Sequence, residues 1–367
     1  MTATVATTVD ALAVAAYTIP TDEPESDGTL EWDSTTIVVV EVRGGGERGL
    51  GYTYSDAAAG MLIESKLVEV ACGSDVEAVP ATWEAMSRAL RNVGRPGLGF
   101  MALSAVDTAL WDLHARCRGT SLATALGAAH ESVPVYGSGG FTSYSLERIA
   151  EQLGGWAAEG IPRVKLKIGR SPSEDPARLD AAREAIGDDV ELFVDANGAF
   201  ERRQALDWAE RYVADWNVSW FEEPVSSDDL EGLALLRNAV VPGIEIAAGE
   251  YGDTPVYFER MLRAGAVDCL QADVTRCGGY TGLLRVAALA DAAQIDLSGH
   301  CAPQVSVHGL AAVGRLRHLE WFHDHVRLES MLFDGVLEPE DGVLRPDRSR
   351  PGNGLELKRK EAGRWAV

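Results

Sequence analysis

The sequence predicts an α/β protein in which a closed barrel of parallel strands follows a smaller α+β region. Three observations carry this prediction. From about Val133 onward, short apolar strands alternate with amphipathic helices. The strand-to-strand spacing is roughly 20 to 30 residues, the length of one β/α unit. Eight such strands occur in succession, and eight parallel strands favour closure over an open sheet. The competing architecture is an open doubly wound sheet, but no Gly-rich dinucleotide fingerprint follows any of these strands.

The first third has a different rhythm. TTIVVVEVRGGGERGLGYTYS reads as two strands joined by a Gly-rich turn. Helical periodicity follows in AAAGMLIESKLVEVA, in AVPATWEAMSRALRNV and in MALSAVDTALWDLHARCRG, where Gly119 is a plausible C-cap. The barrel strands are VPVYGS, RVKLKIG, ELFVDAN, SWFEEP, IEIAAGE, CLQADV, IDLSGH and HLEWF. Helical patterns between them include SLERIAEQLGGWAAEG, PARLDAAREAIG, RRQALDWAERYVADW, DLEGLALLRNAV and YTGLLRVAALADAAQ. The tail from about Val326, rich in Pro, Gly and charge, is expected to run back over the N-terminal region. The expected division is therefore 1–128, an N-terminal α+β region; 129–325, the barrel; and 326–367, the returning segment.

Composition narrows the function classes. The 33 Lys and Arg against 56 Asp and Glu give a net charge of −23. Phosphate backbones and anionic lipid repel such a chain, which argues against nucleic-acid and membrane-surface partners. No apolar run approaches the roughly 18 residues of a transmembrane helix. The start, MTATVATTVDALAVAAYTIP, has no basic n-region. Five cysteines without a C-x-x-C pair fit reduced thiols in a cytoplasm.

The stretch RVKLKIG raises the question of chemistry. Lys165 and Lys167 share one face of a strand whose other residues are apolar. On the inside of a barrel, two desolvated amines need partners. Chemistry in such barrels sits at the C-terminal strand ends, and those ends are polar throughout: Asp195 and Asn197, Glu222 and Glu223, Glu250, Asp273, His300, Glu320. Asp195, Glu222 and Glu250, on successive strands, make a hard all-oxygen site suited to Mg²⁺. Glu223 is expected to alternate away from the ion. A structural ion-pair network with the lysines is the competing reading.

The ordered set K-x-K, D-A-N, E-E-P, G-E, D, H, E, following a region that contains SAVDTALWD, resembles the enolase superfamily, and within it the mandelate racemase branch. The resemblance covers essentially the whole chain. It implies a (β/α)7β modified TIM barrel with an N-terminal α+β capping domain, Mg²⁺ on Asp195, Glu222 and Glu250, and a homo-oligomer, dimeric or octameric. It also implies Lys167 as one base, His300 hydrogen-bonded to Asp273 as the other, and Glu320 as the acid facing the substrate carboxylate. The muconate cycloisomerases and dipeptide epimerases of this superfamily end the sixth strand with lysine; QADVTRCGG has Asp273 there and no lysine, which favours the histidine branch.

The residue types suit that chemistry. Removing the α-proton of a carboxylate builds an enediolate dianion, which Mg²⁺, Lys165 and a protonated Glu320 would stabilise. Lys167 must be neutral to act as a base. The cap supplies two candidate lid segments, Thr18–Ser34 and Gly49–Asp56, the second offering Tyr52 and Tyr54; an exposed loop without such a role is the alternative for the first. Asn197, Ser138 and Tyr54 are candidate substrate contacts, and Tyr136 and Phe141 either line the pocket or pack. FHDH offers His323 and His325 at a chelating spacing, but surface or interface packing is the stronger expectation; His308 and His318 are expected to be structural. The expected activity is dehydration of an acid sugar. Racemisation or epimerisation of a 2-hydroxy acid is the alternative, and a metal-free Schiff-base aldolase on Lys165 or Lys167 and a non-catalytic barrel are more distant ones.

Overall fold

Three long antiparallel strands begin the chain: β1 (Val9–Ser26), β2 (Glu31–Gly44) and β3 (Glu47–Tyr54), in the order β1-β2-β3. The computed structural model describes residues 7–367; the first six residues of the stretch read as lacking a basic leader lie outside them. The β-branched run in β2 explains its strand character. Val38, Val40 and Val42 enter the core shared with the cap helices, while Ile37 and Val39 on the other face join the barrel-side core. Gly45 and Gly46 turn β2 into β3 with both residues at positive φ, as a two-residue hairpin turn needs. On β3, Gly49 and Gly51 press against the helix Leu98–Cys117, where a Cβ would run into Ala109 and Thr108. The two aspartates of SAVDTALWD lie on that helix. Asp107 accepts from the amide and hydroxyl of Thr281 at 3.0 and 2.7 Å, and Asp112 from the amides of Leu50 and Asn353 at 2.8 and 2.5 Å.

Eight strands then close a barrel: β4 (Val133–Gly139), β5 (Arg163–Lys167), β6 (Glu191–Asp195), β7 (Val218–Glu222), β8 (Glu245–Ala248), β9 (Cys269–Ala272), β10 (Asp296–Gly299) and β11 (Leu316–Phe322). All neighbours are parallel, and β11 pairs with β4 to complete the ring, Glu320 opposite Tyr136. Helices cover the outside between strands. Tyr136, Phe193, Trp220, Ala247 and Cys269 fill the barrel interior below the active end. The tail returns in two places. Val343–Leu344 pairs antiparallel with β4, and the last residues reach β1, where the Thr18 amide donates to the Trp365 carbonyl at 2.9 Å.

Both expected lid segments are strands. Thr18, Ile19 and Pro20 pair with Thr36, Thr35 and Ser34, and after a register shift Glu25 and Ser26 pair with Trp32 and Glu31. Only the tip turns, with Asp27 Oδ1 accepting from the amides of Thr29 and Leu30 at 2.7 Å. The irregularity between Pro20 and Glu25 absorbs the proline without ending the ladder. The Gly49–Tyr54 stretch is part of β3, its glycines being required by the close helix. No helix among the described residues is long and apolar enough to cross a membrane.

Candidate active site

Side-chain alternation decides what faces the barrel interior. On β5, Lys165 and Lys167 share the inward face; on β7, Glu222 lies above Trp220, whose indole donates to Glu222 Oε2 at 2.9 Å. Lys165 is fully buried and is gripped by Glu222 Oε1 at 2.5 Å, Glu320 Oε1 at 2.8 Å and Asp195 Oδ2 at 3.2 Å. Lys167 Nζ lies 2.5 Å from Asp195 Oδ2. One oxygen from each of Asp195, Glu222 and Glu250 falls within 4.8 Å of the others, and all three residues are buried. Glu223 turns at φ +39°; its Oε1 is buried and has no hydrogen-bond partner.

Beyond the carboxylates, His300 follows β10 and Asp273 follows β9. Asp273 Oδ2 is 2.8 Å from His300 Nδ1, while Thr275 donates its amide and hydroxyl to Oδ1, each at 2.7 Å. His300 Nε2 is left facing Glu250 Oε2 at 3.1 Å, Cys301 Sγ at 3.3 Å and Glu320 Oε2 at 3.4 Å. Glu320 Oε2 also accepts from the Cys301 amide at 3.1 Å.

The electrostatics follow from crowding. Burial, then the charge of Asp195, push the Glu222 carboxyl up to about 8, and burial with Glu250 beside it pushes Glu223 well up. Burial would lower both Lys167 and His300. For Lys167, Asp195 together with Glu250 and Glu320 outweighs burial; for His300, Cys301, Glu250, Glu320 and the Asp273 hydrogen bond together do, so both groups are raised. Glu320 is the reverse of the expected protonated donor: burial alone would raise it, but Lys165 and His300 bring it well below the usual carboxylate range. Six carboxyl groups thus share the ring with two lysines, Arg276 and one histidine. The excess negative charge and the orphaned buried Glu223 oxygen fit a divalent cation.

A cavity of about 450 Å³ opens onto this ring, reached by Lys167, Asn197, Glu250, Arg276 and His300. Its roof comes from the cap: Asp27, Leu30 and Trp32 on the hairpin, with Tyr54 from β3. Another cavity, about 460 Å³, lies at the opposite barrel end among ion-paired arginines and holds none of these groups.

The cap sequence matches the N-terminal domain of the mandelate racemase / muconate lactonizing enzyme family over residues 17–127, and residues 148–362 match the enolase C-terminal domain-like family. The chain belongs to this family. It is 33% identical to a 3,6-anhydro-α-L-galactonate cycloisomerase of Streptomyces coelicolor, with 96% of this chain and 97% of that one covered. It is 34% identical to an L-talarate/galactarate dehydratase of Salmonella typhimurium over 90% of this chain and 82% of the other. Among solved structures, a mandelate racemase/muconate lactonizing enzyme-like protein from Rubrobacter xylanophilus superposes with a TM-score of 0.97 at 61% identity, covering 98% and 100% of the two chains. A racemase from Streptomyces coelicolor with bound magnesium gives 0.91 at 32%, covering 98% and 100%. The Salmonella dehydratase with Mg and L-lyxarohydroxamate gives 0.91 at 31%, covering 100% and 95%.

Within this mandelate racemase-like frame, Lys165, Lys167, Asp195, Glu222, Glu250, Asp273, His300 and Glu320 converge on one buried ring. Asn197 reaches the cavity rim. Tyr54 does too, stacked on His325 with ring centres 3.4 Å apart. Ser138 does not reach it. It shares the inward face of β4 with Tyr136, fully buried, and its hydroxyl has no partner. Tyr52 is likewise turned away, donating to Glu329 at 2.6 Å, and Phe141 packs edge-on against Trp32. Of surface or interface packing, His325 shows the second: it is buried where the cap meets the barrel, against Tyr54. Its Nδ1 accepts the Ala302 amide at 3.2 Å, which places its proton on Nε2, and burial pushes it down to about 3. It therefore stays a neutral donor at the cavity. Cys301 and Arg276 also line the cavity, on turns after β10 and β9 that no glycine or periodicity marks in the sequence at those positions.

Proposed function

We propose that the protein is a Mg²⁺-dependent acid-sugar dehydratase, removing an α-proton and then water to give a 2-keto-3-deoxy acid. One observation carries this: Lys167 on β5 and the His300–Asp273 pair after β10 and β9 face one carboxylate ring beneath the cap hairpin, a base and an acid on one substrate site. Asp195, Glu222 and Glu250 would hold the ion, which supplies positive charge to the substrate carboxylate as a second negative charge develops there. Lys165 adds a fixed positive charge from below. Once Asp195's charge is shared with a cation, the group that keeps Lys167 protonated is weakened, and Lys167 becomes available as a base. Asp273 fixes the tautomer of His300 and stabilises its imidazolium, so that Nε2 can protonate the departing 3-hydroxyl. Loss of water across C2 and C3 leaves the enol of the keto acid.

The hydrogen-bonding groups at Asp27, Asn197, Arg276 and His325 support a hydroxylated substrate, as do the dehydratases among the relatives. Bases approaching from different strands equally support a racemase or epimerase of a 2-hydroxy acid, the second reading. The ion-paired, protonated lysines count against a Schiff-base nucleophile. We also place the protein in the cytoplasm, which its five free cysteines favour, as the homo-oligomer expected from the family resemblance.

The test is an acid-sugar and 2-hydroxy-acid library in D₂O with Mg²⁺, followed by NMR. Keto acid from one sugar supports dehydration; deuterium at C2 without keto acid supports racemisation. Turnover that survives both Lys167→Ala and His300→Asn would overturn the mechanism.

A further inference from the structure

A second polar cluster stands where the cap hairpin meets the barrel, apart from the catalytic ring. Asp22 and Glu25 on β1 and His323, which opens the helix after β11, bring two carboxylate oxygens and one imidazole nitrogen within 4.8 Å of one another. Asp22 Oδ2 and His323 Nε2 are 3.0 Å apart. Two neighbouring ligands on an ion with bonds of about 2.1 Å stand about 3.0 to 3.4 Å apart, so this spacing needs little change to admit one. Glu25 is completely buried. Its Oε2 takes the indole N–H of Trp32 at 2.8 Å, and its Oε1 has no hydrogen-bond partner. A buried carboxylate oxygen facing nothing is costly and calls for a counter-charge.

The surrounding charges do not supply it. Asp22, Glu23, Glu25 and Asp324 face only two guanidiniums. Arg148 is engaged by Glu23 at 3.3 Å and Asp22 at 3.5 Å. Arg327 is held by Asp324 and the Pro20 carbonyl, at 2.8 and 2.7 Å. Four carboxyl groups against two guanidiniums leave the cluster short of positive charge. Asp22 is partly exposed and His323 half-buried, so an ion can enter from solvent. One imidazole with two carboxylates suits Zn²⁺ and its neighbours better than Mg²⁺, which prefers oxygen alone.

We propose that Asp22, Glu25 and His323 form a Zn²⁺-type site that pins the cap hairpin to the end of the last barrel strand. The same hairpin carries Asp27, Leu30 and Trp32 into the cavity roof, and Glu25 itself holds Trp32. Occupancy would therefore order the roof over the active site. The inference stands independently of the reaction assigned above.

The experiment uses the full chain saturated with Mg²⁺, exposed to Zn²⁺, passed through gel filtration and counted for both metals by mass spectrometry. Amide hydrogen exchange is followed over residues 18–34. The expected result is one Zn²⁺ retained per chain with exchange in the hairpin slowed. In His323→Ala and Glu25→Gln, Zn²⁺ affinity falls about tenfold or more while bound Mg²⁺ is unchanged. His323 is partly exposed, so its variant keeps the test meaningful if Glu25→Gln fails to fold. No retained Zn²⁺ in the wild type, or equal retention in His323→Ala, would overturn the proposal; the first leaves Glu25 balanced by a proton, and the second places the zinc on the catalytic carboxylates.

Discussion

Magnesium affinity should fall steeply on acidification, with Glu222 setting the range. Its carboxyl is fully buried, and burial, then Asp195, push it up to about 8 despite the partial relief from Lys165. A raised carboxyl keeps its proton below that pH, and a ligand must give the proton up. Apparent affinity therefore drops about tenfold for each pH unit below 8. From pH 8, where half of Glu222 is ionised, to pH 6 the loss is about 50-fold, or about 2.3 kcal/mol. Lys167 acts in the same sense, since its ammonium and the ion compete for Asp195 Oδ2. Calorimetric titration with MgCl₂ at pH 6, 7 and 8, in buffers of different ionisation enthalpy, reads both the affinity and the protons released. About one log unit of affinity per pH unit, with at least one proton released at pH 7, is the expected outcome. Flat affinity across this range with no proton release would refute the reasoning, because Glu222 would then already be ionised in the free protein.

Two further outcomes follow from the cap–barrel seam. His325→Phe preserves the stack on Tyr54 but removes the Nε2 donor, so KM for the identified substrate should rise about tenfold with kcat less affected; an unchanged KM would remove His325 from the substrate contacts. Glu329, which accepts from Tyr52, is pushed by burial up to about 8. The unfolded chain ionises it above about 4.5 while the folded protein does not until about 8, so stability is lost as pH rises between these values, about 3 kcal/mol by pH 7. Glu329→Gln should therefore raise the thermal midpoint progressively more from pH 5 to pH 8, and parallel pH profiles of variant and wild type would sink this account.

The barrel and its ring were legible because both obey local periodicity. Strand parity puts Lys165 with Lys167 and Trp220 with Glu222 on one face, and each strand end carries its polar residue within two positions of the last paired one. The cap hairpin was not legible. Polar residues and prolines at Thr18–Ser34 read as a loop, whereas pairing with Ser34–Thr36 and burial of Glu25 and Ser26 depend on tertiary contacts. Cys301 and His325 were hidden for a related reason. Cys301 and Ala302 both adopt positive φ, +49° and +44°, with no glycine to announce the turn. That turn brings the thiol beneath His300 and offers the Ala302 amide to His325. The protonated Glu320 expected from the chemistry fails because Lys165 and the Cys301 amide both stabilise its charge.

The same ring decides between a functional site and an ion-pair network kept for stability. A stabilising network pairs its charges and satisfies its oxygens, since an uncompensated buried charge is strongly unfavourable. Here Lys165 and Lys167 are paired, but Glu222 and Glu223 are forced upward in pKa, and the buried Glu223 Oε1 has no hydrogen-bond partner. An apolar residue at Glu223 would relieve both penalties there without disturbing the β7–β8 ladder, which is made by backbone groups. A fold that instead concentrates unbalanced carboxylates at the end of the barrel covered by the cap hairpin violates local consistency where a cation and a substrate restore it. Stability and catalysis are therefore coupled through one charge deficit, and the ion that enables proton abstraction should also be the ligand that most stabilises the folded chain.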